Sequence, residues 1–304
     1  ISVESLTGND IFLKFKDRGR IGYIRTDGTV GLYFENGEDG VITNIPVSKI
    51  PNRLYLAGEE IDAPHLFRGK TGIYASKFFT NADTIGEPEP GSDLSDGKLT
   101  ISADYILLGG RDEWSKEAKI YADISPYISP QSPAGTTKDT VNIIRAILDE
   151  NFNMIDSSAS TMITGRLTGS AVSKLNIFTG SPQIGETASP LILDLCSGAV
   201  VNFYNFMHSF DDPQYYIDVL KPTELKFYSA KIDPDNKKMI HVGGKYQHVL
   251  GTIRNKATVK SDTGLSIYVH NGSIGNELNL LKVDMAKSGT LNMNANDIRA
   301  RLLS

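Results

Sequence analysis

The residues best suited to recognition lie in the stretch Gly109-Gly-Arg-Asp-Glu-Trp-Ser115. Trp114 is the single tryptophan of the chain. An indole offers an apolar plane to the C–H face of a pyranose, and Arg111, Asp112 and Glu113 beside it offer donors and acceptors to the hydroxyls. Two readings of Trp114 stand open: an aromatic exposed for contact, or a plug that folds back and pins its loop. Tyr127, between Pro126 and Pro130, and the pair Tyr215-Tyr216 are further candidates of the same kind.

Catalytic signals are weaker. The chain has no Gly-x-Ser-x-Gly elbow, no Gly-x-x-x-x-Gly-Lys-Ser/Thr loop, no Gly-x-Gly-x-x-Gly and no His-Glu-x-x-His. Among the five histidines, His241 and His248 flank Val242-Gly-Gly-Lys-Tyr-Gln247, which reads as a hairpin. A hairpin could bring both rings together, or leave two histidines on strand faces. His208 lies near Asp211 and Asp212, as a His–carboxylate pair or as a loop before Pro213. Asp233-Pro-Asp-Asn236 begins like a calcium loop but has Gly244, not Glu, at the twelfth place, so it reads as a turn. Glu59-Glu60-Ile-Asp62 and Asp112-Glu113 are the densest carboxylates and read as solvated turns. Cys196 lies among Leu193, Leu195 and Val200 and reads as a small hydrophobe. No metal, cofactor or catalytic residue is expected.

These groups belong to a chain of 304 residues and 33.2 kDa, long enough for a sizeable core. Hydrophobic residues are 40% and charged residues 22%, a globular balance. The net charge of −5 argues against nucleic acid, which selects for excess Lys and Arg. No apolar run approaches the length of about 18 residues that spans a bilayer, so no membrane insertion is expected. One cysteine cannot form an intrachain disulfide. A chain beginning at Ile1 reads as a fragment or a processed product.

The elements that must hold the candidate residues are mostly strands. The runs 11–15, 21–24 and 30–34, then 98–108, 117–124, 161–168, 190–195, 223–233, 238–243, 247–260 and 264–270, are rich in β-branched and aromatic residues. Asp27-Gly28, Asn36-Gly37, Asp39-Gly40, Asp96-Gly97 and Asn271-Gly272 signal type I′ hairpins. Two segments predict helix. Val141, Ile144, Leu148 and Phe152 share a helical face behind a Thr136/Asp139 cap, and a second helix spans 212–220 with Pro213 near its start. The Pro- and Gly-rich stretches 86–97 and 125–137 cannot be central strands, and the second is the better boundary between subdomains. No strict repeat is visible.

Asn9-Asp-Ile-Phe-Leu-Lys-Phe15 and Gly19-Arg-Ile-Gly-Tyr-Ile-Arg-Thr-Asp-Gly28, with the alternating texture of 264–297, resemble the glycine-punctuated shafts of bacteriophage tail fibres. The resemblance is closest to the distal receptor-binding region of siphophage L-shaped fibres and covers the first and last 45 or so residues in texture. Ser304 is similar to the serine left when such a fibre's C-terminal intramolecular chaperone cuts itself off; it stands equally as an arbitrary boundary. The resemblance implies a mainly β, intertwined homotrimeric fibre tip with short strands and one or two short helices. It implies shaft-like β segments at 1–45 and 261–304, a β subdomain at 46–130, and a receptor-binding subdomain at 131–260 with a helix at 137–152. The implied partners are two identical chains, other phage tail proteins on the N-terminal side, and a bacterial surface glycan. The implied location is the virion, after assembly in the host cytoplasm. A tailspike depolymerase or deacetylase and a monomeric carbohydrate-binding module stand as alternatives.

Overall fold

A computed structural model describes residues 71–80, 84–86, 99–108, 117–128, 132–145, 162–206, 212–232, 246–259, 263–285 and 289–303, with shorter strands before residue 63 and at 147–148, 154–156 and 240–242. The described residues are strands and loops, and no helix occurs among them.

Nearly all pairing is parallel, and partners lie one turn apart rather than adjacent in sequence. In one stack, Thr100–Leu108 pairs with Thr140–Arg145, then Lys174–Thr179, Ala199–Asn205, Thr223–Ile232, Leu265–His270 and Leu291–Asn294. In the other, Glu117–Ser125 pairs with Met162–Gly169, then Leu191–Leu195, Gln214–Val219, Gln247–Asn255, Leu281–Asp284 and Ala300–Leu303. The chain alternates between the two stacks and so winds a parallel β-solenoid. Thr71–Thr80 carries the ladder back to Leu54–Ala57 and Glu60–Asp62, and through them to strands from Leu6 onward.

The core lies between the stacks. Inward positions form columns, such as Ile143-Ile177-Phe203-Phe227-Val269 and Leu191-Ile217-Ile253-Val283, all buried. Phe203 stacks on Phe227 at 5.1 Å, and Tyr215 packs against both. Burying a side chain of this size contributes roughly 1.5–3 kcal/mol against leaving it exposed. One outward column is an asparagine ladder. Asn202 donates to the Asn176 carbonyl at 2.8 Å, Asn176 donates to Asn142 at 2.8 Å, and Asn142 donates to the Asp104 backbone carbonyl at 3.0 Å.

The expected β runs are found, but their connections differ. Strands 23–26 and 29–34 pair in parallel with other strands and not with each other, so they form no hairpin; Asp27 and Gly28 lie outside the described residues. Asn271-Gly272 is a solenoid corner, with Asn271 at φ +50°. A type I′ signal reports only the need for positive φ, which corners share. The expected 242–247 hairpin is displaced: Ile240–Val242 pairs antiparallel with Ala230–Ile232.

Both expected helices are strands where they are described. Residues 140–145 alternate, with Val141, Ile143 and Arg145 buried and Ile144 outward and half-buried. Val141, Ile143 and Ile144 are β-branched, and the neighbouring strand Lys174–Thr179 supplies the partners that make the period two. Thr136 and Asp139 form no capping box. Thr136 donates to the Pro133 carbonyl, while the Asp139 carboxylate accepts from Ser173 on the next turn and from Thr140. The hydrogen bonds from Ser173 and Thr140 hold that carboxyl below its ordinary range. The second segment is the strand Gln214–Val219. Phe152 and the side chain of Leu148 lie outside the described residues.

Turn length varies from 17 residues, Leu54 to Thr71, to 45, Glu117 to Met162, which is why no strict repeat shows in the sequence. Corners carry the constraint instead. Gly251 sits at φ +107°, and a Cβ there would run into the Tyr215 carbonyl. Gly251→Ala is expected to destabilise the fold by about 1–3 kcal/mol or more. Asn202→Ala, which leaves the Asn176 carbonyl without its donor, should cost about 1–3 kcal/mol. Urea unfolding measures both; an unchanged midpoint for either contradicts the role given to it.

Candidate functional site

Trp114, Arg111, Asp112 and Glu113 lie outside the described residues, as do His65, His208, Asp211, the segment 233–236 and Ser304. The other sequence candidates are separated by the fold. Tyr127 is half-exposed just past the strand Glu117–Ser125. Tyr216 is half-buried, and its hydroxyl donates to Gln214 at 2.9 Å. Tyr215 is a correction. Strand alternation turns it inward, where it is 1% exposed and faces Asn205 across 3.5 Å. Burial holds its phenol far above the ordinary range. It is a core residue and cannot stack on a surface ligand.

One His–Ser contact among the described residues invites a catalytic reading and has the wrong polarity for it. His248 Nδ1 lies 2.6 Å from Ser273 Oγ, on the neighbouring turn. Ser273 is buried and spends its only proton on the Gly275 carbonyl at 2.5 Å. Its oxygen therefore accepts from His248, and the imidazole cannot act as base toward it. Asp297 follows Ser273 in the ladder, but its carboxylate receives Arg299 at 2.9 Å. Among the described residues no group of three or more His, Cys, Asp or Glu is placed to hold a metal, and no helix is long and apolar enough to cross a membrane. Cys196 is partly buried and donates to the Val172 carbonyl at 3.0 Å.

The solenoid's two stacks present different outer surfaces. The Glu117–Ser125 stack is charged. Asp194 lies between Arg166 at 3.1 Å and Lys221 at 2.9 Å. Asp218, its side chain 2% exposed, receives Arg254 at 2.5 Å and Lys256 at 2.9 Å. Each carboxylate is thus held by an arginine one turn away, and these contacts stitch successive turns together. Burial, the largest single influence on Asp194, raises its carboxyl. The hydrogen bonds and charges of Lys221 and Arg166 together outweigh it, so the group stays below its ordinary value.

The Thr140–Arg145 stack is aromatic and sparsely charged. Beside the asparagine ladder runs the outward column Ile144-Phe178-Tyr204-Tyr228-His270. Phe178 stacks on Tyr204 at 4.7 Å and 9°, and Tyr204 on Tyr228 at 5.0 Å and 13°. Both faces of Tyr204 are therefore covered by neighbouring rings, and this part of the column presents ring edges. Burial first, and then a neighbouring tyrosine, raises the phenols of Tyr204 and Tyr228. The stack opens at its last members. Tyr228 meets His270 at 5.8 Å and 39°, and Tyr268, one column across, at 6.4 Å and 58°. No ring among the described residues stacks in parallel on Tyr268. Lys226 and Glu224, 3.4 Å apart, lie on the turn before, and Asn292 and Asn294 on the turn after.

None of these surface residues was singled out from the sequence. Their alignment depends on turns of unequal length, and only the alternation within Lys226-Phe-Tyr228 and Tyr268-Val-His270 could have marked them as outward.

A testable consequence concerns Asp194. Its folded-state pKa lies below the unfolded value near 3.8, so its contribution is present above that value and is lost as pH falls through the folded one. The melting-temperature gap between wild type and Asp194→Asn is expected to be largest near neutrality and to close below about pH 4. A gap that widens on acidification contradicts the ion-pair account.

No family model, no curated protein and no solved structure matches the chain.

Proposed function

We propose that the protein is a phage tail-fibre adhesin that attaches to a bacterial surface polysaccharide without cleaving it. The observation that carries this reading is the outer surface of the Thr140–Arg145 stack, where a column of aromatic rings runs along a rigid ladder and opens at Tyr268 and His270 beside the exposed amides of Asn292 and Asn294. Carbohydrates are recognised by such a pairing, with apolar planes for C–H faces and fixed polar groups for hydroxyls. A solenoid suits the task, since its shape extends with the ligand and its rigidity lowers the ordering cost of binding. The glycine-punctuated texture of the terminal segments supports the fibre context.

Homotrimeric assembly belongs to the same proposal, with a change in its reason. The described solenoid buries its core within one chain, so short strands alone do not require partners. The fibre-like texture of the terminal segments is what supports assembly with identical chains.

The test combines native mass with adhesion to bacterial cells before and after periodate oxidation, which cleaves sugar diols. The expected result is three chains per particle, with binding abolished by periodate and no reducing ends released. A particle of one chain removes the fibre assembly. Binding that survives periodate removes the glycan receptor. Released reducing ends turn the reading to a depolymerase.

A further inference from the structure

Resting on this adhesive reading, we infer that Tyr268, with Tyr228 and His270, is the aromatic end of a binding strip for an uncharged, extended polysaccharide that lies along the solenoid axis. Its hydroxyls would be held by Lys226, Asn292 and Asn294.

The position follows from the stacking. Phe178, Tyr204 and Tyr228 are nearly parallel and leave no room for a sugar between them. At Tyr228 the next rings turn by 58° and 39°, and the parallel stack ends. Tyr268 is half-exposed, and its hydroxyl lies 3.4 Å from His270 Nδ1, a long contact that tethers the tip of the ring. A tethered aromatic without a parallel neighbour is the platform that a pyranose C–H face requires.

The polar groups are placed on both sides. Asn294 follows Tyr268 in register one turn on, and Lys226 precedes it one turn back. Asn292 and Asn294 are exposed. Asn292 lies 3.5 Å from Ser266, at the limit of a hydrogen bond, so its amide is free to turn to a ligand.

The class of ligand follows from charge. Lys226 sits 3.4 Å from the Glu224 carboxylate, so the two charges cancel locally. A uronic or sialic chain would meet that carboxylate with no surplus cation beside it. On the opposite stack Arg166, Lys221, Arg254 and Lys256 are taken up by Asp194 and Asp218, whereas Lys282 and Arg301 stand exposed in register, so that face and not this one would suit an acidic chain. An uncharged chain is therefore the ligand that this face accepts without desolvating an unpaired charge.

Direction follows from the ladder. Parallel strands repeat about every 4.8 Å, close to the length of one sugar unit in an extended chain. A polysaccharide along the axis meets a new row of side chains at each unit, Lys226, then Tyr268, then Asn294, whereas one laid across the strands meets only one of these rows.

The experiment uses the full chain on an array of neutral and acidic bacterial polysaccharides, followed by titration with fragments of the bound one. Binding to neutral chains is expected, with affinity rising as fragments lengthen. Tyr268→Ala should weaken binding about tenfold or more at unchanged melting temperature. Tyr268→Phe should retain most of it, Asn294→Ala should weaken it without touching the fold, and Arg301→Ala on the opposite stack should bind as wild type does. If Tyr268→Ala lowers the melting temperature, Asn294→Ala decides. Neutral-chain binding unaffected by Tyr268→Ala and Asn294→Ala overturns this site and leaves the adhesive reading standing. A preference for acidic chains overturns the ligand class. Absence of any bound polysaccharide overturns both readings.

Discussion

Every feature of this molecule depends on parallel, in-register pairing between turns. Each strand is held by the one before it and holds the one after, so a residue at a given position lies directly over its counterpart about 4.8 Å away. Side chains of one kind then act as columns. Apolar columns such as Ile143-Ile177-Phe203-Phe227-Val269 fill the interior. An amide over an amide becomes a hydrogen-bonded ladder, as in Asn142-Asn176-Asn202. A ring over a ring becomes a stack. A charge over an opposite charge becomes an ion pair, as where Asp218 meets Arg254, its register partner.

The same rule divides stability from recognition. Asn176 and Asn202 are nearly buried, and their amides are consumed by one another. Tyr204 has both ring faces covered. Groups in the middle of a ladder satisfy each other and have little left for a ligand. Groups where a ladder ends or changes residue type keep unspent valence: Lys226 follows Asn202, Tyr268 follows Lys226, and Asn294 follows Tyr268. Recognition is therefore expected at discontinuities of the columns rather than along their uniform parts.

Strand positions were legible in the sequence because period two and β-branching are local properties. The runs 98–108, 117–124, 190–195 and 264–270 match observed strands to within two residues. Connectivity was not legible. Asp-Gly and Asn-Gly specify positive φ and are silent on whether the chain then returns beside itself or proceeds to the other stack. The segment 141–148 misled for a related reason. Its apolar residues at 141, 144 and 148 fit a helical face, but Ile143 also fits the core, and only a partner strand decides between the two periods. The aromatic surface was hidden for a third reason. Tyr204, Tyr228 and His270 are 24 and 42 residues apart, and no local pattern relates positions separated by unequal turns.

Unequal turns have a functional consequence. A solenoid with a fixed repeat displays the same residues at every level. Here the long turn between Glu224 and Ser266 carries the antiparallel pair Ala230–Ile232 with Ile240–Val242, and the aromatic stack opens on crossing it. The insertion leaves the ladder's register intact, because Thr223–Tyr228 still pairs residue for residue with Leu265–His270. What changes is the ring tilt, from 13° between Tyr204 and Tyr228 to 39° between Tyr228 and His270. The backbone thus stays regular while the surface chemistry varies from turn to turn. Corner insertions can then alter the outer surface without loss of the core, which is fixed by the inward columns.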